Sequence, residues 1–202
     1  MRGSRQARVR YVQSSLRRFE VVRLSLSKYV ARIMHPRPVS VIVSRSRTGE
    51  VNGCSVSWFM PVNVDPFIFS VSLSPRRLTY SYIKETREIT LNIMPFKFVE
   101  EVHRVGSISG RELKNKLIEL GFELEESSVV KVPHIKGALA YVEGVLINEL
   151  PFEDHSLMVF KSLKVHIDEK YFKENVFTEE AEILLHVGGN IYAKPSNYVR
   201  VG

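Results

Sequence analysis

The sequence predicts a mainly β fold, a β-barrel with short helices inserted between some of its strands. Three observations carry that reading. At least five segments rich in β-branched and aromatic residues have the length and flanking turn residues of strands. The first of them follow one another across turns containing Gly and Asn, so hairpins connect them. The helical segments are short, whereas a doubly wound parallel sheet needs a helix between most successive strands.

Taken in order, Pro36 and Pro38 end the lead-in, and the run Val39 to Ser44 reads as a buried strand. Arg45 to Asn52 holds Thr48-Gly49 and leads into Asn52-Gly53, turn signals that close a hairpin. Ser55 to Met60 is the next strand, followed by a turn around Asn63 to Pro66. Across Phe67 to Ser74, Phe67, Phe69, Val71 and Leu73 share one face, and Ser70, Ser72 and Ser74 share the other. Pro75 to Arg87 reads as a short helix and Glu88 to Met94 as a strand. Pro95 suits a first helical turn and opens a helix through Phe98, Val102 and His103, which Gly106 to Gly110 breaks. Arg111 to Leu120 places Leu113, Leu117 and Leu120 at helical spacing, with Gly121 as the stop. Ala138 to Leu150 and Ser156 to Ile167 are long strands, and the chain closes with His186 to Tyr192. There is no internal repeat and no linker after residue 35.

The chain carries 29 Lys and Arg against 22 Asp and Glu, a net charge of +7. A basic balance invites a nucleic-acid partner, so its location matters. Arg2, Arg5, Arg8, Arg10, Arg17 and Arg18 lie in the first eighteen residues, which hold no acid; without them the remainder carries +1. The body lacks a basic stripe, and no nucleic-acid partner is expected. Residues 1–22 form a basic extension, with Val12, Leu16 and Phe19 at helical spacing, and 23–202 form one domain. No apolar run approaches the ~20 residues that span a bilayer, and the single Cys54 fits a reducing compartment. A cytoplasmic protein with no membrane partner is the expectation.

Familiar catalytic signatures are absent. There is no G-x-G-x-x-G after a strand, no phosphate loop with its Lys, no H-E-x-x-H and no G-x-S-x-G. The six histidines show no close metal-ligand spacing, so no metal site is expected. The positive signal lies between Asn52 and Tyr80. Ser72 and its neighbours offer small donors and acceptors along one strand face. The strand runs into Arg76, Arg77 and Thr79, two forked guanidiniums and a hydroxyl suited to a phosphate. Ser55 and Ser57 precede Trp58, whose flat ring suits an aromatic ligand. Residue by residue, a solvated strand and helix start explain the same pattern.

The blocks Pro36 to Val43, Val51 to Val62, Asp65-Pro66, Ser72 to Ser74 and Arg77 to Tyr80 resemble the flavin reductase-like, FMN-binding split-barrel family on its flavoredoxin-like branch. The resemblance continues through Glu88 to Ile93, Val102 to Gly110, Glu153 to His155 and Leu185 to Tyr192, covering roughly residues 24–194. It implies a Greek-key split barrel, a homodimer, and FMN held non-covalently near the subunit interface. It implies that Asn52, Ser55, Ser57 and Trp58 line the flavin ring, and that Ser72, Arg77 and Thr79, with Arg76, hold the phosphate. Lys116 falls where the family places a lysine near the phosphate, although Asn115 and Leu117 flank it here instead of Asp and Phe. His155 matches the family's acidic-His block, and Tyr192 sits where an aromatic closes the site. On this reading no protein residue is catalytic, because the chemistry lies at flavin N5. NADH or NADPH is the expected donor, and free flavin, ferric iron or a partner protein the acceptor. The alternative is an electron carrier that keeps its FMN and is reduced by another protein.

Overall fold

The structure is a computed structural model that describes residues 30–201; the basic leader, with Val12, Leu16 and Phe19, lies outside the described residues. A 3-10 turn at Val30–Met34 leads into β1 (Arg37–Pro38) and β2 (Ser40–Arg45). The meander continues through β3 (Val51–Val56), β4 (Phe59–Asn63) and β5 (Ile68–Leu73), then α1 (Leu78–Thr86) and β6 (Glu88–Ile93). Next come α2 (Val99–Ser107), α3 (Lys116–Glu119) and two short strands, β7 (Leu124–Glu125) and β8 (His134–Ile135). Two long strands, β9 (Ala140–Pro151) and β10 (Ser156–Ile167), precede the small hairpin β11 (Phe172–Lys173) and β12 (Val176–Phe177). The hairpin β13 (Leu185–Gly188) and β14 (Ile191–Ala193) ends the fold.

Seven strands form the main sheet in the order β3-β2-β6-β9-β10-β5-β4, each antiparallel to its neighbours. The expected barrel with inserted helices is therefore what the chain builds. β3 and β4 are the two edges, and only Ser57 and Trp58 separate them, so the chain steps from one edge of the sheet to the other at this seam. The run Ser55 to Met60, read as one strand, is split there. β1 pairs with β13 and draws the C-terminal hairpin beside the seam.

The sheet buries both faces. Ile42, Cys54, Phe69, Val71, Ile89, Met158 and Phe160 fill one side. Val41, Val43, Val102, Val105, Leu117, Leu120 and Ile135 pack α2, α3 and the 122–135 segment on the other. β2 alternates between the two clusters, which is why its sequence is continuously apolar. Each fully buried aliphatic or aromatic side chain contributes about 1.5–3 kcal/mol.

Three local expectations need correction. The first hairpin turns at Ser46 to Glu50, where Ser46 N–H donates to Glu50 O at 2.8 Å and Glu50 N–H to Ser46 Oγ at 3.0 Å. Asn52 and Gly53 are strand residues paired with Ser44 and Val43. Helix α2 runs through Gly106 and stops at Ser107. Of Arg111 to Leu120, only Lys116–Glu119 is α-helical, because Asn115 adopts a left-handed φ of 49° and the chain before it turns through Ser109 carbonyl bonds. Leu117 and Leu120 still enter the core, and Leu113 packs against it.

Candidate functional site

At the seam lies a cavity of about 520 Å³ between β3, the end of β5, the start of α1 and the chain after α2. Asn52, Ser55, Ser57, Trp58, Ser72, Arg76, Arg77, Thr79, Lys116 and His155 all line it. Of the residues singled out in the sequence, only Tyr192 does not; it lines an adjoining hollow. The serine face of β5 divides. Ser72 and Ser74 reach the cavity, whereas Ser70 is buried with no hydrogen-bond partner for its Oγ beside a separate apolar hollow.

Helix ends set the charge at one side of the cavity. Lys116 is buried, and its ammonium donates to the carbonyls of Val105 and Ile108, both at 3.0 Å. Arg77 Nη1 donates to Gly106 O at 2.9 Å. The C-terminal end of α2, with its unpaired carbonyls and negative dipole end, thus anchors both cations. Burial pushes the Lys116 ammonium below the usual lysine range, and Arg77 adds to that push. Beside them α1 starts at Leu78 with Arg77 as its extended N-cap, so its first amides have no intrahelical partners. Two of the three Lys116 donors are engaged, and most of the Arg77 fork has no backbone bond to satisfy. Among the described residues no Asp or Glu lines the cavity.

Asn52 ties β3 to α1. Its Nδ2 donates to Thr79 Oγ1 at 2.8 Å with both groups buried, while Asn52 Oδ1 is buried with no partner. Thr79 therefore keeps its own proton to donate, and Asn52 keeps an acceptor. A Cβ on Gly110 would stand 2.3 Å from Asn52 Oδ1, so only glycine leaves that atom room. A Cβ on Gly106 would likewise sit 3.3 Å from Ser55 Cβ, and this closeness lets Ser55 Oγ donate to Val102 O. At the other side Trp58 is 37% exposed rather than core, its ring 5.1 Å from that of His155 at 36°. Asp154 Oδ1 sits 3.0 Å from His155 Nδ1 and orients that ring; the same contact pulls the Asp154 carboxyl below its usual range. Cys54 lies in the wall, buried, its thiol pushed up chiefly by that burial.

The arrangement suits a long ligand with a planar ring at Trp58 and an anionic end at Arg77 and Lys116. Its volume falls inside the ~300–1,000 Å³ of ordinary ligand pockets. Sequence reasoning missed Ile108, Ser109 and Gly110 in the lining, since their place follows from where α2 ends. It also missed His103 and His186, which face the adjoining hollow. Their only signal was membership in the two family-like blocks. Among the described residues no group of His, Cys, Asp and Glu is arranged to hold a metal, and no helix is long and apolar enough to cross a membrane.

Residues 31–193 match the flavin reductase like domain, and the chain belongs to that family. An uncharacterised protein of Pyrococcus abyssi is 30% identical over 156 residues, 77% of this chain and 88% of its own length. The chain spans about half (51%) the length of a curated relative from Aeropyrum pernix that it also matches. An FMN-binding protein from Thermus thermophilus, solved with p-hydroxybenzaldehyde bound, superposes with a TM-score of 0.73 at 25% identity, covering 97% of this chain and 100% of that one. A split-barrel domain from Shewanella frigidimarina superposes with a TM-score of 0.79 at 15% identity, over 86% of this chain and 89% of that one. The fold is the split barrel of FMN-binding flavin reductase-like proteins.

Proposed function

We propose that this protein holds FMN in the seam cavity and acts as an NADH- or NADPH-dependent reductase of free flavin or ferric iron. One observation carries the reading. A cavity with no acid among the described residues that line it gathers Arg77, Lys116 and Trp58, and it leaves a buried acceptor, Asn52 Oδ1, without a partner. An uncharged ligand gives no reason to collect cations there, and an unpaired buried acceptor is costly unless a ligand donor completes it.

On this reading Arg77, Thr79 and Ser72 hold the phosphate, with Arg76 at the exposed rim and Lys116 supplying charge from beneath. Asn52, Ser55, Ser57 and Trp58 lie along the ring, and His155 stands against Trp58. Ser55 Oγ already donates to the backbone, so it serves only as an acceptor. Bound FMN supplies two-electron hydride chemistry, so the protein needs no nucleophile or metal. What the chain contributes is binding, orientation and positive charge beside a ligand that gains electrons. Trp58, Met60 and Met34 surround an apolar hollow of about 230 Å³ next to the site, which supports a homodimer formed over this edge.

Mixing the purified protein with FMN is expected to give a one-to-one yellow complex that NADH or NADPH bleaches. A protein that takes up no FMN at micromolar concentration sinks the proposal. One that stays yellow while oxidising no NAD(P)H is a carrier reduced by a partner protein.

A further inference from the structure

We propose that a second hollow beside the seam cavity is a binding subsite for a small organic carboxylate. This rests on the FMN reading, because it gives that reading's cavity a neighbour. The hollow measures about 260 Å³ and shares Ser55, Val56, Ser57 and Arg77 with the first. Its remaining wall is His103, Gly106 and Ser107 from α2, His186, Gly189 and Tyr192 from the C-terminal hairpin, and Val39. The hairpin is held there by β1 pairing with β13, and His35 Nδ1 meets His186 O at 2.9 Å.

Size suits a compact ligand. At ~30 Å³ per water, the space equals about nine waters, room for a small acid. Charge selects among what remains. Among the described residues no carboxylate lines this hollow either, while one guanidinium and two imidazoles do. His103 Nδ1 and Tyr192 Oη are 3.1 Å apart, and burial holds the phenol above its ordinary range, so it keeps its proton. A carboxylate at the other ring nitrogen of His103 would favour the tautomer in which that nitrogen carries the hydrogen and the phenol donates to Nδ1. Val39, Val56 and the Tyr192 ring supply an apolar flank for the body of the acid.

His186 gives the subsite a pH dependence. Burial pushes its imidazolium below the usual range; the Gly189 carbonyl, 3.0 Å from Nε2, opposes this, while His35, Arg32 and His103 add positive charge that favours the neutral ring. The groups facing it are thus His35, Arg32, His103, Gly189 and Tyr192. An entering carboxylate reverses that balance, so binding takes up a proton and tightens as pH falls.

The test is a titration of the full chain with benzoate and with neutral benzamide, read by the ring-nitrogen NMR signals of the histidines, with and without FMN. Benzoate is expected to shift His103 and His186 saturably, about tenfold more tightly than benzamide, as a charge-assisted hydrogen bond implies. His103→Ala should weaken benzoate about tenfold, and His103→Gln, which keeps a polar side chain, should weaken it similarly. Equal binding of benzamide, an unchanged benzoate affinity in both variants, or no response of these two rings overturns the proposal. The signals are read with FMN absent as well. A chain that binds benzoate but not FMN therefore sinks the flavin reading alone, and one that binds FMN with silent histidines sinks the subsite alone.

Discussion

Arg77 lines both cavities and caps α1, and its guanidinium is fixed by one carbonyl of α2. Arg77→Ala is expected to weaken FMN about 10- to 100-fold, the worth of charge-assisted hydrogen bonds at ~1.5–3 kcal/mol. Arg77→Lys keeps charge without the fork and should fall between; fluorescence quenching of FMN reads both. Gly110→Ala tests the opposite wall. The new methyl must displace Asn52 Oδ1, which unpins Thr79, so FMN affinity and Tm should fall together. A variant with unchanged FMN affinity removes Asn52 from the site. Arg76, Arg77 and the serines were legible in the sequence as a phosphate-like cluster, because they are consecutive on a strand-to-helix turn. Lys116 and His155 were legible only through the family resemblance, since 39 and 78 residues of chain separate them from Arg77. Gly110 was not legible as a contact at all, because its role depends on an atom 58 positions away.

Among the elements, residues 128–130, in the segment before β8, are gathered by one side chain on β9. Glu143, fully buried, accepts from Ser128 Oγ at 2.7 Å and from the amides of Ser128, Val129 and Val130 at 2.7–3.1 Å, with His166 Nε2 at 2.8 Å. Burial alone raises its carboxyl, but these donors outweigh it and bring the pKa to about 2. A depressed carboxylate stabilises the fold above its unfolded pKa. The contribution, on the order of 3 kcal/mol, is complete above about pH 5 and is lost as pH falls toward 2. Urea midpoints should therefore drop steeply between pH 5 and 3 in the native chain, and much less in Glu143→Gln, which starts lower at pH 7. Equal pH slopes in the two proteins refute the clamp. Strands and their faces were readable because alternation is a local signal: β10 begins and ends at the residues the pattern indicates. The helix before Gly121 was over-read because leucine spacing reports which residues are buried, and Leu113 packs inward from a turn as well as it does from a helix.

At the scale of the molecule, the edge strand β4 exposes Met60 and Val62 at 50% and 52% beside Met34 at 65%. On the homodimer proposed above, a partner copy would cover that cluster. Met60→Lys is expected to shift light-scattering mass toward the monomer and to weaken FMN through the adjacent Trp58. A native chain that is monomeric at tens of micromolar refutes the dimer. The barrel class was legible in the sequence, but the seam was not, since it depends on which strands become edges. One consequence of the anchored pair Lys116 and Arg77 concerns the empty protein. Two like charges held together by a helix end repel each other until an anion arrives, so the fold carries a standing electrostatic tension at this spot. An anion bound there would offset that repulsion, and the melting temperature is expected to rise with added FMN by the amount its measured affinity dictates.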